Sequence, residues 1–380
     1  MTTTINNEHK KLNVPNLRFP EFQGEWKEER ISNIAELYKG TGISKDQLSE
    51  NGEPCILYGE LYTKYKSEII SEVLSKTSID SAKLVRSNAN DVIIPCSGET
   101  AEDIATARCV LKDKILLGGD LNIIRLHGHD GSFMSYQLNG KRKYDIAKVA
   151  QGVSVVHLYG EHLKGVKTFN PSLSEQRKIA KMFSLLDERI ATQNKIIDKL
   201  QSLIRGIAQN IAYSNKPNVR LSGCLACSSS TLQESDVCGH GAYPVYGANG
   251  IVGYLDHYNT EDDAIYIIKD GSGVGAVSYV TGKCSATGTL NTLQAKGGYS
   301  LQYLYYMLKV FNFEPYKTGM AIPHIYFKDY GKANVYCPSY TEQLQYARLL
   351  SAIDRKLSAE RNILTDLSLQ KQYLLRQMFI

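Results

Sequence analysis

The sequence lacks the features that would assign it to a membrane or to a common catalytic class. Its 380 residues contain no apolar run of roughly 18, so we expect no membrane-spanning helix. There is no Gly-x-x-x-x-Gly-Lys-Ser/Thr phosphate loop and no His-Glu-x-x-His motif, which argues against ATP hydrolysis and against a zinc protease. An Asn/Asp-Pro-Pro-aromatic segment, the pattern of amino-methyltransferases, is also missing. We therefore predict a chain with no catalytic residues and no cofactor of its own.

Cysteine content, the N-terminus and net charge add weaker limits. The eight cysteines form no regular framework, and a chain of this length does not need disulfides, so reduced thiols in a cytoplasmic protein are the simple interpretation. The N-terminus has no apolar stretch of the kind found in signal peptides, and we expect residues 1–15 to form a flexible tail. The net charge of +5 permits nucleic-acid binding without requiring it.

The chain repeats itself at an offset of 167 residues, the difference between the positions of Gly152 and Gly319. The matched pairs, which need no gap, are Gly152 with Gly319, His157 with His324, Tyr159 with Tyr326, Pro171 with Pro338, Ser172 with Ser339, Glu175 with Glu342, Gln176 with Gln343, Ala180 with Ala347, Ser184 with Ser351, Asp187 with Asp354, and Leu200 with Leu367. A period this long indicates two copies of one module, because solenoid units repeat every 20 to 50 residues or so.

Each copy ends in a long predicted helix with a heptad stripe of apolar residues. The first stripe is Ile179, Phe183, Leu186, Ile190, Ile197, Leu200, Ile204, Ile207 and Ile211. The second is Tyr346, Leu350, Ile353, Leu357, Leu364, Leu367, Leu374 and Met378. Polar residues interrupt the stripes at Gln193, Glu360 and Lys371, where they either set the register of a coiled coil or face water. Ser174 and Thr341 are candidate N-caps.

These features predict an α+β protein in which two globular α/β domains are joined and spaced by two long antiparallel coiled-coil helices. We place the first globular domain at 16–172 and the second at 214–336, with helices at 173–213 and 337–380. The extra length of the first domain is expected around residues 45–90. Predicted strands are 91–95, 121–124, 263–268 and 290–293, and predicted helices inside the domains are 133–150 and 303–311. Alternatively, each stripe packs separately on its own domain.

Three patterns invite a chemical interpretation. The run from Gly271 to Gly275 follows a strand, but no helix opens after it, so a tight turn or an approach to phosphate is favoured over a dinucleotide site. A zinc site could use Cys224, Cys227, Cys238 and His240, although the Cys-x-His spacing does not match the usual fingers. The repeated His157 and His324 lack a visible catalytic partner set, so packing or a hydrogen bond within each module is the favoured role.

The chain resembles the specificity subunits of type I restriction-modification enzymes over nearly its whole length. The resemblance rests on the duplicated Pro-Ser-x-x-Glu-Gln leader with its long helix, at Pro171 and Pro338. It also rests on Tyr243-Pro-Val-Tyr-Gly-Ala-Asn-Gly250 and Ile268-Lys-Asp-Gly-Ser-Gly-Val-Gly275, which are similar to one class of target-recognition domain. In the first domain, Tyr58-Gly59 and Ser97-Gly98 would take the same places without the Asn-Gly step. This departure implies that the two domains read different half-sites.

The resemblance implies that each globular domain is a target-recognition domain for one half of an interrupted double-stranded DNA sequence. It implies that the helices act as a spacer and dock two methyltransferase subunits, and through them motor-nuclease subunits. Phosphate contacts require cations or amides, and base contacts require polar side chains that reach a groove. On this basis the candidate DNA-binding residues are Lys39, Thr41, Lys45, Tyr58, Lys64, Lys66, Ser97, Arg108, Lys141, Arg142, Lys143, Gln151, Tyr246, Asn249, Lys269, Ser272, Lys283, Lys317 and Thr318.

A second class of function is compatible with the same pattern. A non-catalytic scaffold with two modules and a coiled coil could bind protein partners in place of DNA. Retention on heparin or nonspecific duplex, with a steep dependence on salt, distinguishes the two because only phosphate contacts release counterions.

Overall fold

The computed structural model describes residues 12–152 and 155–380, which form two compact units. The first unit comprises the chain up to Gln193 together with Leu364–Ile380, and the second comprises Asn194–Ile363. Residues 1–11 of the predicted tail lie outside the described residues. At the end of that tail, the carbonyl of Asn13 accepts a 2.7 Å hydrogen bond from the amide of Trp26.

The first unit combines small sheets with short helices. Its strands are β1 Lys27–Arg30, β2 Ala35–Lys39, β3 Leu48–Ser49, β4 Glu53–Ile56, β5 Ile69–Ile70, β6 Ser75–Thr77, β7 Asp91–Pro95, β8 Ser97–Gly98, β9 Arg108–Val110, β10 Leu116–Leu117, β11 Leu121–Leu126, β12 Val156–His157 and β13 Lys167–Asn170. Its helices are α1 Ile31–Ile34, α2 Glu60–Thr63, α3 Ala101–Ile104, α4 Gly131–Asn139, α5 Lys143–Val149, α6 Gly160–Lys164 and the first half of α7 Leu173–Tyr213.

The second unit repeats the main strands and helices of the first in the same order, with fewer of each. Its strands are β14 Val219–Arg220, β15 Leu225–Ser229, β16 Tyr243–Gly247, β17 Gly250–Leu255, β18 Ala264–Ile268, β19 Val277–Val280, β20 Ser285–Ala286, β21 Leu290–Ala295 and β22 Asn334–Val335. Its helices are α8 Leu221–Cys224, α9 Leu301–Val310, α10 Phe327–Tyr330 and most of α11 Tyr340–Gln377, whose last turns belong to the first unit.

The main sheets of the two units share one topology. The order is β2-β11-β7-β9-β5 in the first unit and β15-β21-β18-β19 in the second. The central strands β7 and β18 read Asp-Val-Ile-Ile-Pro and Ala-Ile-Tyr-Ile-Ile; nearly all of their residues are buried, as expected for apolar strands covered on both faces. Strand β6 corresponds to β17, because each pairs antiparallel with the strand, β4 or β16, that also has a parallel partner. Among the described residues, strand β5 has no counterpart in the second unit. The equivalent positions Cys55 and Val92 are 37 residues apart, whereas Val245 and Ile265 are 20 apart, so the extra length lies within residues 45–90 as predicted.

The α+β prediction is confirmed in both units. The four predicted strands correspond to β7, β11, β18 and β21, and the helix expected at 303–311 is α9. The single helix expected at 133–150 is wrong, because it is two helices, α4 and α5, separated at Gly140. The amide of Gly140 donates to the carbonyl of Tyr136, and a Cβ at this position would lie 3.0 Å from that oxygen. The close approach ends the helix there.

Both heptad stripes are buried or half-buried along their whole length, as a coiled coil requires. In the first unit, Phe183 of α7 packs with Phe379, two residues after the end of α11, and Asp187 meets Lys371. Later residues of α7 thus meet earlier residues of α11, so the two segments run antiparallel. The polar interruptions do not face water, since Gln193 and Glu360 are 7% and 6% exposed. Lys371 is held between two carboxylates, as described below. The alternative in which each stripe packs alone on its own domain is therefore wrong for the first unit.

The helix N-caps differ from those expected. Ser172 accepts a 3.4 Å hydrogen bond from the amide of Glu175, and Ser339 accepts the equivalent bond from Glu342, also at 3.4 Å. The predicted caps, Ser174 and Thr341, lie inside the helices, because α7 begins at Leu173 and α11 begins at Tyr340. The serine of the repeated Pro-Ser pair is therefore the capping residue in both copies.

The repeated glutamine joins each sheet module to its long helix. In the first unit, Gln176 donates to the carbonyl of Pro171 at 2.9 Å and accepts from the amide of Asp130, the N-cap of α4, at 2.9 Å. In the second unit, Gln343 makes the same two bonds, to Pro338 and to Ser300, the N-cap of α9, each at 2.9 Å. Both glutamines are 1% exposed. Such buried, fully bonded amides fix the orientation of the groups that they join.

The repeated aspartate makes a second connection of the same kind. Tyr136 of α4 donates to Asp187 of α7 at 2.8 Å, and Tyr306 of α9 donates to Asp354 of α11 at 3.4 Å. Burial, with the nearby aspartate, raises the pKa of both tyrosines well above its usual value. The tyrosines therefore stay protonated as donors, and each module is held to its helix at two points about three helical turns apart.

The first unit adds a buried ion cluster that the second lacks. Lys371 of α11 lies 2.6 Å from a carboxylate oxygen of Glu68 and 2.6 Å from one of Asp187. Burial raises the pKa of Glu68, and Lys371 opposes that shift. The residue at the repeat position of Lys371 is Ile204, since 371 minus 167 is 204. The cluster therefore ties the end of α11 to the first module alone.

We expect Lys371→Met to destabilise the first unit by about 3–5 kcal/mol, because it leaves two buried carboxylates without their cation. Urea unfolding followed by Trp26 fluorescence measures this directly, since Trp26 is the only tryptophan and is 1% exposed in the first unit. Lys178→Met is the matched control. Its pair with Glu21 is about half exposed on both sides, so we expect a loss of roughly 0–1 kcal/mol. Equal losses in the two variants would contradict a buried role for Lys371.

Candidate nucleic-acid interface

A repeated turn stands at one end of each sheet module. In the first unit Gln151 and His157 exchange backbone hydrogen bonds, and in the second Thr318 and His324 do the same. The glycine after each, Gly152 and Gly319, has a positive φ of 116° and 87°. A Cβ at either position would meet a carbonyl oxygen at 2.2 Å or 2.4 Å. Glycine is therefore required in both turns, which explains its recurrence.

Each repeated histidine pairs, through its backbone, with a residue just after the central strand of its unit. His157 lies opposite Ser97 of β8, and His324 bridges Asp270. Nδ1 of His324 is also 2.6 Å from a carboxylate oxygen of Asp270, whereas the ring of His157 stacks on Tyr159. The predicted role of these histidines, packing or a hydrogen bond within the module, is thus what both copies display.

The backbone register tests which residues of the two units are equivalent. The amide of Leu158 donates to the carbonyl of Cys96, and the amide of Ile325 donates to that of Lys269, so Ser97-Gly98 matches Asp270-Gly271 as expected. The expected match of Tyr58-Gly59 to Tyr246-Gly247 is wrong. Tyr246 pairs in parallel with Ala286, and the residue in that place in the first unit is Ile56, which pairs with Leu117.

The first unit has an open cavity of about 610 Å³ beside this bridge. It is lined by Tyr58, Gly59, Tyr62, Thr63, Ser97, Gly98, Glu99, Asp103 and Val155. Tyr58 is 39% exposed, and the hydroxyl of Tyr62 donates to the carbonyl of Ser97 at 3.2 Å. Glu99 is exposed at the rim, while Asp103 accepts a hydrogen bond from Thr100. The cavity thus has aromatic walls and an acidic rim.

The second unit has a cavity of about 540 Å³ beside the equivalent bridge. It is lined by Cys227, Ser229, Lys269, Asp270, Asn291, His324, Ile325, Tyr326, Phe327 and Lys328. Lys328 lies over the ring of Tyr326, at 5.2 Å from its centroid. In the described part of the chain, neither Lys269 nor Lys328 forms an ion pair, because the carboxylate of Asp270 is engaged by His324. This cavity therefore carries two unpaired cations.

Cys227, His324 and Asp270 line one cavity, which invites comparison with a thiol protease. Burial raises the pKa of the Cys227 thiol to about 11, with Lys269 nearby working in the opposite direction. The thiol donates to the carbonyl of the adjacent Ser228. A catalytic cysteine needs a lowered pKa, so this thiol is a poor nucleophile at neutral pH. The arrangement favours ligand binding over covalent chemistry.

Equivalent positions in the two units differ in charge. Lys269 stands where the first unit has Cys96, and Lys328 stands 167 residues after Glu161. In the first unit the exposed carboxylate of Glu99 occupies the rim. Similar backbones with opposite charges are suited to reading two different partners, or two different parts of one partner.

Several of the predicted contact residues are brought together and others stand alone on the surface. Tyr58 and Ser97 share the first cavity, and Lys269 lines the second. Gln151 and Thr318 occupy the repeated turns. Asn249 is in the turn between β16 and β17, and Ser272 is exposed in the tight turn that follows β18, where the interpretation of residues 271–275 as a turn is confirmed. The remaining exposed candidates, placed in neither cavity, are Lys45, Lys66 and Lys141.

Other predicted contact residues are already engaged within the protein. Three cations have partners: Lys64 binds Glu60 and Ser75, Lys317 binds Glu314, and Lys283 lies over the ring of Tyr258. Lys39 is 3.9 Å from Asp120, Thr41 accepts from the amide of Val85, and Tyr246 packs on Tyr266. Lys143 begins α5 and is half-buried.

Two arginines among the candidates are held most firmly. The guanidinium of Arg108 donates to the carbonyls of Tyr65 and Ala107, and burial lowers its pKa. Arg142 donates to the carbonyl of Ile380 and stacks over the ring of Phe169. Neither guanidinium is placed to reach a ligand without giving up these bonds.

The candidate DNA-binding residues do not include Glu99 and Lys328, which line the two cavities. Glu99 carries no sequence signal of a DNA contact, because contacts to a polyanion normally use cations. Lys328 has a signal in the repeat itself, because it stands opposite Glu161 at the 167-residue offset and the charge reverses there.

The zinc site that the sequence left open is not formed by the described residues. Across 12–152 and 155–380, no three His, Cys, Asp or Glu side chains are grouped as metal ligands, so Cys224, Cys227, Cys238 and His240 do not form a zinc site there. Nor does any helix in this part of the chain combine the length and apolar character needed to cross a bilayer.

Comparison with known proteins gives consistent matches. The chain is 25% identical over 112 residues to the specificity subunit of the type I restriction enzyme EcoprrI of Escherichia coli, covering 30% of this chain and 28% of that protein. It is 26% identical over 196 residues to the MjaVIII specificity subunit of Methanocaldococcus jannaschii, covering 51% and 43%. The chain thus aligns with less than half the length of either relative.

The fold has a match over the whole chain. The crystal structure of a type I restriction-modification S subunit from M. genitalium superposes with a TM-score of 0.69 at 18% identity, covering 97% of this chain and 99% of that one. A family model described as the type I restriction modification DNA specificity domain matches residues 23–202 and 225–368. Because this match includes most of the chain and both of its modules, the chain belongs to the type I restriction-modification DNA specificity family.

Proposed function

We propose that the chain is the DNA-recognition subunit of a type I restriction-modification complex and that each unit reads one half of an interrupted duplex target. The proposal rests on one observation: the two units have similar backbone structure at the histidine bridge, but the charged residues around it differ. Both units build the same glycine turn and histidine bridge, and they surround it with an acidic rim in one case and unpaired lysines in the other. Two recognition surfaces of one design are suited to a two-part target.

The chemistry of the two cavities suggests how they divide the task. Exposed carboxylates are repelled by phosphates, but they accept hydrogen bonds from the exocyclic amino groups of cytosine or adenine in the major groove. Glu99 is therefore proposed as a base-reading residue of the first unit. Lys269 and Lys328 are proposed to neutralise backbone phosphates beside the second cavity. Ser272 and Asn249, which are exposed in turns of the same unit, are proposed to contribute polar contacts.

The subunit is proposed to be non-catalytic, with methylation supplied by two methyltransferase subunits and cleavage by motor-nuclease subunits that bind through them. Exposed apolar side chains along the long helices support a docking role, because such residues are unfavourable in water unless a partner covers them. They include Leu185, Ile196, Leu203, Leu349, Ile363, Leu369 and Tyr373. In this proposal the domains are 16–172 and 214–336, and the helices at 173–213 and 337–380 space them.

We expect Lys269→Ala combined with Lys328→Ala to flatten the salt dependence of duplex binding by up to about 2 in the slope of log K against log salt, because each phosphate contact contributes roughly 0.9. Fluorescence anisotropy with a labelled duplex at several salt concentrations gives the slope. Lys332→Ala is the matched control, since Lys332 is exposed nearby and already lies 3.6 Å from Asp329. An unchanged slope in the double variant would remove these lysines from the interface. A flat slope in the unaltered chain would favour the protein-binding scaffold.

We expect the long helices to set the unread gap between the half-sites. Four residues inserted after Gln193 add about 6 Å and roughly 400° of helix, which leaves an excess rotation near 40°. At about 3.4 Å per base pair, the gap in the methylated motif should lengthen by roughly two base pairs while both half-sites keep their bases. Sequencing of methylated DNA from cells that express the variant with its methyltransferase reads out the motif. Methylation at an unaltered gap would show that the helix is not the spacer.

A further inference from the structure

The second unit ends its main sheet one strand early. In the first unit β5 completes the sheet by pairing in parallel with β9, with Ile69 opposite Cys109 and Ile70 opposite Val110. In the second unit the sheet ends at β19, and within the described residues no strand pairs with its outer side. The strand β19 therefore presents an open edge where its counterpart is covered.

The register identifies the backbone groups on that edge. Pro95 of β7 and Ile268 of β18 are equivalent, because they pair with Leu121 and Leu290 at the start of β11 and β21. Three residues earlier, Val92 lies opposite Cys109 of β9, and Ile265 lies opposite Tyr279 of β19. Tyr279 is therefore the equivalent of Cys109, and Thr281 is the equivalent of Leu111.

In the first unit, Cys109 and Leu111 both donate backbone hydrogen bonds to β5 or to the residue just before it. The amide of Cys109 donates to the carbonyl of Glu68 at 2.9 Å, and the amide of Leu111 donates to that of Ile70 at 3.1 Å. By this register the amides of Tyr279 and Thr281 face the side on which a further strand would lie. An added strand would thus find donors at the spacing that β5 uses.

The edge also lacks the usual protection against pairing. Natural edge strands carry lysine, proline, inward charges or bulges that prevent association. The sequence of β19 is Val-Ser-Tyr-Val, with no charged residue and no proline, and its pairing with β18 has no register shift. An uncharged, regular edge of this kind is suited to strand addition.

A cavity of about 320 Å³ adjoins the edge, where β5 and its flanking residues lie in the first unit. It is lined by Tyr279, Gln302, Tyr305, Tyr306, Ser351, Asp354, Arg355 and Ser358. The ring of Tyr305 packs edge-on against Tyr279 at 5.5 Å between centroids and takes the place of Ser135, which donates to Glu68. Tyr305 thus forms an aromatic wall of this cavity.

The repeated aspartates, Asp187 and Asp354, differ in the number of side-chain donors that they receive. Asp187 receives three donors: Tyr136 at 2.8 Å, Lys371 at 2.6 Å and the hydroxyl of Ser67, directly before β5, at 3.0 Å. Within the described residues, the carboxylate of Asp354 accepts a side-chain hydrogen bond from Tyr306 alone, at 3.4 Å. Beside it, Arg355 donates to Ser351 and forms no ion pair in the described part of the chain.

We infer that β19 is a docking edge for an extended segment of a partner protein, which adds in parallel as β5 does in the first unit. The segment carries a serine or threonine whose hydroxyl donates to Asp354, then an acidic residue near Arg355, then β-branched residues that continue the strand. This is the chemistry of Ser67-Glu68-Ile69-Ile70 in the first unit. The site lies wholly within the second unit and does not depend on DNA binding.

The test uses the full chain and a labelled peptide with the sequence of residues 65–73, Tyr-Lys-Ser-Glu-Ile-Ile-Ser-Glu-Val. We expect saturable binding by fluorescence anisotropy and slower hydrogen exchange at the Tyr279 amide when the peptide is bound. Thr281→Pro removes one donor from the edge without removing a bond between β18 and β19, and it should weaken binding about fivefold to tenfold. Thr281→Ala keeps the amide and should bind like the unaltered chain.

A peptide with alanine in place of its serine should also bind more weakly, because the donor to Asp354 is lost. Circular dichroism and thermal unfolding establish that Thr281→Pro is folded. No binding of the peptide, or equal binding to the proline and alanine variants, overturns the proposal. Self-association of the chain in sedimentation experiments that Thr281→Pro abolishes also overturns it, since the occupant of the edge would then be a second copy.

Discussion

The buried amide of one repeated glutamine determines how each module is mounted. Gln176 and Gln343 each connect the carbonyl of the leader proline to the N-cap of a module helix, and both are almost inaccessible to water. An amide in this position satisfies a donor and an acceptor that would otherwise be buried unpaired. A replacement that lacks either atom would leave a buried donor or acceptor unpaired and weaken this connection between module and helix. The glutamine contact fixes the orientation of the module on its helix. The serine cap and the aspartate–tyrosine bond stabilise the same arrangement.

The two copies share these contacts between module and helix, and they differ in the residues around them. The first unit fills the space beside its repeated aspartate with Lys371, Ser67 and an extra strand, whereas the second leaves a cavity and an open edge there. At the histidine bridge, Glu99 and Asp103 line the cavity of the first unit, whereas Lys269 and Lys328 line that of the second. Duplication thus preserved the mounting of each module and left its surface free to diverge. That division is what a protein with two separate recognition tasks requires.

Much of the frame could be predicted from the sequence, because periodicity and the gapless repeat report on helices and on equivalent positions. The partners of the repeated residues could not. Arg142 looked like a surface cation, but it meets the carbonyl of Ile380, 238 residues away. The pairing of β5 with β9 was equally hidden, since two-residue strands carry no periodic signal. The sequence gives no signal for Glu99, because a carboxylate is an unusual contact beside DNA, whereas the charge reversal between Glu161 and Lys328 is visible at the repeat offset.

The central claim is that each module reads its own half of the target, and exchanging one module tests it most directly. Residues 16–172 would be replaced by the corresponding domain of another member of the family, with both long helices and residues 214–336 retained. DNA from cells that express the hybrid with its methyltransferase would then be sequenced for methylated motifs. The account predicts that one half of the motif changes while the other half and the gap stay the same. A change in both halves would contradict it.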